Sequence, residues 1–178
     1  MKFILTGIVV VFFASCGEQS TASLPAHPYD GPLRTLDNAI IKHSEEAVIK
    51  AEIKAEKLLE LQNGDKEFPF GMAIEFFDEK GDITGTLRAD YAYYTIEENR
   101  WKATGDVVVN NIKNKEILRS EELFWEPKEE NISTDKFVRI ESPEQVISGT
   151  GLQAKQDFSS WTIKKQEGTF DINEDENP

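Results

Sequence analysis

The sequence predicts an all-β protein, an antiparallel twisted β-jellyroll that stays half open and is built from repeated hairpins. The first sign is a repeated line. "LRSEELFW" at 118–125 nearly restates "LRADYAYY" at 87–94, and weaker versions stand at 53–60 ("IKAEKLLE") and 147–154 ("ISGTGLQA"), so that the four starts lie 34, 31 and 29 residues apart. Self-similarity at such a spacing marks one supersecondary unit used several times. The second sign is a surplus residue in each copy. An apolar residue comes first and a small one third (Ile53 and Ala55, Leu87 and Ala89, Leu118 and Ser120, Ile147 and Gly149), the period-two spacing of one strand face. The next apolar residue on that face stands at the sixth position, not the fifth: Leu58, Ala92, Leu123 and Leu152. A β-bulge has this effect, bending and twisting a strand while the same face stays inward beyond it. The third sign is the course between copies, where a polar turn, an apolar-rich return segment and a second polar turn describe a meander.

From the N-terminus, residues 1–15 read as a lipoprotein signal peptide. Lys2 is the single cation, Phe3 to Phe13 is apolar, and Ala14 and Ser15 are small. The apolar run is short for a transmembrane helix. Cys16 is the only cysteine, which excludes an internal disulfide and a cysteine-based metal site. Its position resembles the bacterial lipobox, in which the cysteine is acylated and becomes the first mature residue, although Phe13 replaces the usual leucine. Several acyl chains anchor a protein stably. Residues 16–34 are therefore expected to be a lipidated N-terminus and flexible tether, small, polar and Pro-rich. The jellyroll domain is expected over 35–171, and residues 172–178 as an acidic disordered tail.

Within the domain, "SEEAVIKAEIKAEKLLELQ" at 44–62 is helical by propensity alone. Ile49, Ala51, Ile53 and Ala55 nevertheless alternate with charged residues, and Ile53 opens the first repeat, so a strand is expected. Turns are expected at "NGDK", "DEKGD", "EENR", "NIKNK", "KEEN", "SPEQ" and "QDFSS", with "GMAIEFF", "GDVVVNN", "KFVRIES" and "WTIKKQ" as return strands. Gly71 and Gly105 share an offset of 34, yet Met72, Ile74 and Phe76 alternate one place off Val107 and Val109. "SEEL" at 120–123 is expected to be a corner with Glu121 and Glu122 turned to water.

Charge removes a class of partners. The chain carries −13, and −14 once residues 1–15 with their lone Lys2 are removed. An acidic surface repels phosphate backbones, so nucleic acid is excluded. His27 and His43 have no Cys, His or Asp cluster around them, and no metal or other cofactor is expected. Asn131-Ile132-Ser133 has the form of a glycosylation acceptor but reads as an unmodified turn. Glu121 and Glu122 are adjacent and so cannot flank one glycosidic bond, and no Ser, His and Asp constellation appears; the protein is not expected to be an enzyme.

A bulged sheet curling over itself encloses an apolar interior. The inward candidates are Leu87, Ala89, Ala92, Val107, Leu118, Leu123, Trp125, Val138, Ile140, Ile147 and Leu152. The small residues Ala55, Ala89, Ser120 and Gly149 form a row that leaves room for an elongated apolar ligand, or else the interior is an ordinary packed core.

"FPFGMAIEFFDEKG", "LRADYAYY", "WKATGDVVVNN", "EILRSEELFWEP", "NISTDKFVRI" and "ISGTGLQAKQDFSSWTI", in this order and after an anchored N-terminus, resemble the LptC family of lipopolysaccharide export proteins over roughly Val48 to Phe170. The resemblance implies a periplasmic bridge that receives lipopolysaccharide from an inner-membrane ABC transporter and passes it to LptA, with acyl chains inside the roll and no covalent chemistry. Open edge strands suit pairing with a neighbouring roll by β-augmentation, and the segment with Trp161, Ile163 and Phe170 is the expected LptA-facing edge. Many members hold the membrane by a transmembrane helix; here lipidated Cys16 implies lipid anchoring to the inner membrane. The competing reading is a lipid-anchored sheet scaffold of the cell envelope that carries no lipid.

Overall fold

The computed structural model describes residues 29–171, in which eleven strands and a short 3-10 turn form one antiparallel sheet. The expected signal peptide, Cys16, most of the tether and the acidic tail lie outside these residues. The strands are β1 (Arg34–Glu45), β2 (Val48–Glu60), β3 (Lys66–Phe68), β4 (Met72–Phe77), β5 (Ile83–Ala89), β6 (Tyr91–Thr95), β7 (Arg100–Asn111), β8 (Glu116–Glu126), β9 (Asn131–Glu141), β10 (Gln145–Lys155) and β11 (Trp161–Asp171). β3 and β4 are two halves of one broken strand, as are β5 and β6. β2 pairs with β4 along its first half and β3 along its second, and β7 pairs with β6 along its first half and β5 along its second. Counted this way, neighbours in the sheet are neighbours in sequence throughout, a meander from β1 to β11.

Every strand bends on one line. In the repeated strands the buried face skips across the bend from Ala55 to Leu58, Ala89 to Ala92 and Gly149 to Leu152, and in β8 from half-buried Ser120 to buried Leu123. The intervening strands skip further, from Phe68 to Met72, Ala103 to Val107 and Thr134 to Val138. The ladders register the mismatch. Gly105 and Asp106 both face Glu121, Asp135 and Lys136 face Gly151, and Glu167 is the unmatched residue of β11. In β1 and β2 the bend is shared, because Leu36 pairs with Leu58 and Ala39 with Ala55 without a register shift. The surplus residue read from the sequence is thus the inner part of a crease that crosses the whole sheet. Met72 corresponds to Val107 in this geometry, so the equal offset of Gly71 and Gly105 is not structural equivalence.

Two expectations need correction at the crease and beyond it. Glu121 is exposed, but the Glu122 carboxylate accepts an ion pair from Lys102 Nζ at 2.9 Å and is largely covered, since β7 runs directly beside it. Asn131 opens β9 rather than forming a turn, and its side-chain amide donates to Glu126 at 3.1 Å. The strand expected over the helix-prone segment is present as β2, which has ladder partners on both sides; those bonds outweigh local helix propensity. β1 was not evident in the sequence. A two-residue turn of Glu46 and Ala47, both in the left-handed region (φ 49° and 65°), folds it along β2.

Small residues occupy the crease because backbone approaches backbone there. A side chain on Gly71 (φ 83°) would fall on the carbonyl oxygen of Ala89, and one on Gly149 on that of Lys165. The Lys164 stem lies over Gly151 on its way to Asp135, which it meets at 2.7 Å.

A buried carboxylate ties two turns together. Asp65, 7% exposed, accepts from the Ile96 backbone N–H at 2.9 Å, Tyr93 Oη at 2.8 Å and Asn63 Nδ2 at 2.7 Å. The β2–β3 and β6–β7 turns are fixed to each other in this way. The Ile96 N–H, followed by the Tyr93 hydroxyl and Asn63 amide, outweighs burial and holds the Asp65 carboxyl below its ordinary value of 3.8.

Gly71→Ala is expected to cost about 3 kcal/mol, from a left-handed backbone together with a clash, whereas Gly81→Ala, at φ 87° in open space, costs about 1 kcal/mol. Urea unfolding midpoints of the two variants give the comparison. Because the folded state favours ionised Asp65, its contribution is complete above pH 3.8 and fades as pH falls through the lower folded value. Asp65→Asn is therefore expected to cost about 1–3 kcal/mol at neutral pH and to flatten the acid limb of a stability–pH curve measured by denaturant titration.

Candidate functional site: the seam between two leaves

The crease divides the sheet into two leaves whose apolar faces close on each other. Across this seam the edge of Phe76 meets Trp125 at 5.5 Å between centroids, and His43 meets the same indole at 6.1 Å. Phe76 and His43 belong to the leaf formed by β4, β5 and the adjoining halves of β1, β2 and β7 to β11. Trp125 belongs to the opposite leaf, where Trp101 stacks on it at 5.9 Å and Tyr94 and Phe68 pack on Trp101 at 4.7 and 5.5 Å. Offset and edge-on rings of this kind are favourable beyond the area they bury. Trp125 also donates through Nε1 to Gln156 Oε1 at 3.0 Å, so its polar atom is satisfied.

The residues expected inside are gathered here. Leu87, Ala89, Val107, Leu118, Val138 and Ile140 lie on the first leaf, Ala92, Leu123, Trp125 and Leu152 on the second, and all belong to one buried cluster. Ile147 is half-buried on the first leaf, opposite Ile140 in the ladder. Trp161 and Ile163 are partly buried against the same cluster, so their side chains face the seam while the β11 backbone forms the rim. Phe170 takes the ladder position opposite Val146. Cys16 lies outside the described residues. Sequence periodicity missed Trp101, Ala103, Phe68 and His43. Trp101 and Ala103 carry a usable signal, since they alternate inward four and two places before the crease glycine Gly105. Phe158, in a turn, carries none.

The seam is largely filled. A cavity of about 170 Å³ lies between Ile41, His43, Ile53, Tyr94, Trp101 and Trp125, with Lys42, Lys66, Asn99 and Pro127 at its margin. Around Phe158 on the β11 side only about 10 Å³ is free. Opposite the crease, where the tips of the leaves meet, a polar mouth of about 530 Å³ is lined by Lys50, Lys113 and Lys155 and by Asp78, Glu79, Glu130 and Asp157. Asp78 turns its carboxylate into its own loop, accepting the N–H groups of Asp82 and Lys80 at 3.0 and 2.9 Å, and these, the Asp82 N–H foremost, hold its carboxyl below the usual range. Asp157 likewise accepts from Ser159 N at 2.9 Å. The three lysines form no ion pair among the described residues, so the mouth offers three uncommitted cations beside four carboxylates, two of which are turned into their own loops.

The sheet ends differ from its interior. Among the described residues β1 pairs with β2 alone and β11 with β10 alone, leaving a row of backbone groups open on each outer side. The seam runs parallel to the crease and therefore reaches from one open edge to the other. Nothing in this constellation is a nucleophile set beside a base. It is an apolar slot with polar lips and two rims able to accept another strand.

No curated protein sequence matches the chain. A family model described as lipopolysaccharide-assembly, LptC-related matches residues 4–170, nearly the whole chain. The creased meander, its apolar seam and this match together establish that the chain belongs to the LptC-related family of lipopolysaccharide-assembly proteins, components of lipopolysaccharide transport in the cell envelope.

Proposed function

We propose that this protein is a periplasmic bridge module for lipopolysaccharide export, lipid-anchored through Cys16 to the inner membrane, that takes lipopolysaccharide from an ABC transporter and hands it to an LptA-like protein. The observation that carries the reading is the continuity of an apolar seam between the two strands that end the sheet among the described residues, β1 and β11. A neighbouring roll that adds a strand to such an edge extends the sheet and the seam together. Backbone hydrogen bonds supply the pairing and tolerate many sequences. β11 is the edge assigned to the LptA-like partner, with Trp161, Ile163 and Phe170 along it.

Acyl chains belong in the seam because apolar surface leaves water at a gain of about 25 cal/mol per Å². Leu87, Ala89, Ala92, Val107, Leu118, Leu123, Trp125, Val138, Ile140, Ile147 and Leu152 are its wall. The sugars and phosphates stay wet at the mouth, where Lys50, Lys113 and Lys155 relieve the repulsion that the acidic surface imposes on an anionic headgroup. Neither catalysis nor a cofactor enters this scheme; the transporter supplies the energy.

The filled state of the seam favours a second reading, a lipid-anchored scaffold that joins envelope proteins by its edges and carries no lipid. Photocrosslinking separates the two. A photoreactive side chain at Leu123 or Ile140 is expected to form adducts with radiolabelled lipopolysaccharide, and one at exposed Arg119 on the outer face is expected to form none. Adducts at neither interior position, in a protein that still copurifies with an inner-membrane ABC transporter, give the scaffold.

A further inference from the structure

Phe158 is a large apolar side chain that a turn of one leaf inserts into the other. It sits between β10 and β11, is 5% exposed, and holds a left-handed backbone (φ 53°) that bulky residues avoid. Its ring lies at the free tip of the second leaf, yet it fills the space between Val109, Leu118 and Ile140 of the first, beside Trp161. Its carbonyl oxygen accepts a hydrogen bond from Asn111 Nδ2 at 3.3 Å, and Asn111 is itself buried at the tip of the first leaf. The turn is secured to its own leaf by Gln156 N–H donating to Glu130 O at 2.8 Å and by the Trp125–Gln156 bond. A firmly mounted turn therefore presents one ring to the facing leaf, and a single neutral hydrogen bond seals the contact.

The geometry points to Phe158 as a clasp that closes the β11 end of the seam and is displaced by an incoming acyl chain. This rests on the lipid-carrying reading. Three aliphatic side chains that cover a phenyl ring suit a hydrocarbon chain equally well, so lipid can replace the ring without exposing Val109, Leu118 or Ile140 to water. Asn111 loses its bond to Phe158 on opening but keeps company with Glu116 and Asn114, to which it is already within reach. The turn stays mounted on its own leaf, so opening breaks one hydrogen bond and exchanges the ring's aliphatic neighbours for lipid. The clasp stands at the edge assigned to the onward partner, where lipid must leave the module.

The test uses the full chain with a photoreactive side chain at Leu123, carrying Phe158→Ala, Phe158→Leu or Asn111→Ala, exposed to radiolabelled lipopolysaccharide. Phe158→Ala and Asn111→Ala are expected to raise adduct yield at least threefold, and Phe158→Leu, which refills most of the space, to stay near the parent. Retention of the sheet is checked by circular dichroism, and Asn111→Ser replaces any variant that fails to fold. Equal yields in all proteins overturn the clasp and leave the lipid-carrying reading standing. Absence of adducts from every protein, with the turn removed as well as present, overturns both.

Discussion

The crease is the constraint on which the rest of the molecule depends. A meander of nine long strands, counting the two broken ones as single strands, would by itself be an open twisted sheet with one face wet. Here each strand spends one or two surplus residues on the same line, and the two halves of its apolar face turn toward each other. The core then needs no second sheet and no helix. It also makes the bend cooperative, because a strand without the extra residue would pass the crease with its far half inside out. Backbones crowd at that line, which is why Gly71, Gly149 and Gly151 stand there and why Ala55, Ala89 and Ser120 are small. The row of small side chains is thus a requirement of folding the sheet, quite apart from any ligand.

The seam formed in this way is dry and nearly full, and closed at its tips by aromatic rings. Trp125 is central to this closure, meeting His43 and Phe76 across the gap and Trp101 on its own leaf. Such a core is stable as it stands, so carriage of a lipid requires the leaves to part. The interior contacts between leaves are largely side chain against side chain, apart from the Asn111–Phe158 bond, whereas contacts within each leaf are ladder hydrogen bonds. Separation of the leaves therefore exchanges one apolar neighbour for another when lipid enters, and leaves the ladders intact. On the lipid-carrying proposal the hinge of that motion is the crease, the part with the most irregular pairing.

Electrostatics and edges complete the arrangement. Lysines are placed at the mouth where an anionic headgroup would rest, while acids such as Asp78 and Asp157 are committed to their own turns. At the rims β1 and β11 are the outermost strands among the described residues, and charged side chains with a bulge at Glu167 keep β11 from being a flat, sticky edge. An edge so guarded accepts a specific strand more readily than an arbitrary one.

Much of this was legible in the sequence for a simple reason: strand faces repeat every two residues, so a missed beat in four similar lines reveals a bend at four places. Local chemistry also determined the turns, the acidic balance and the inward set from Leu87 to Leu152. It could not reveal β1, whose partner is chosen by a two-residue turn of Glu46 and Ala47 without the usual glycine or asparagine. Nor could it show that the return strands skip further than the repeated ones, because a skip of four residues preserves the alternation and is silent in the pattern. The pattern around Glu122 points to solvent because its ion-pair partner, Lys102, is brought alongside only by the register of β7 on β8. Phe158 and Asn111 lie 47 residues apart and meet solely because the sheet is folded in two. Periodicity records which face a residue takes within its own strand; which leaf that face then meets is decided by the closure of the whole sheet, through contacts too distant in the chain to leave a local mark.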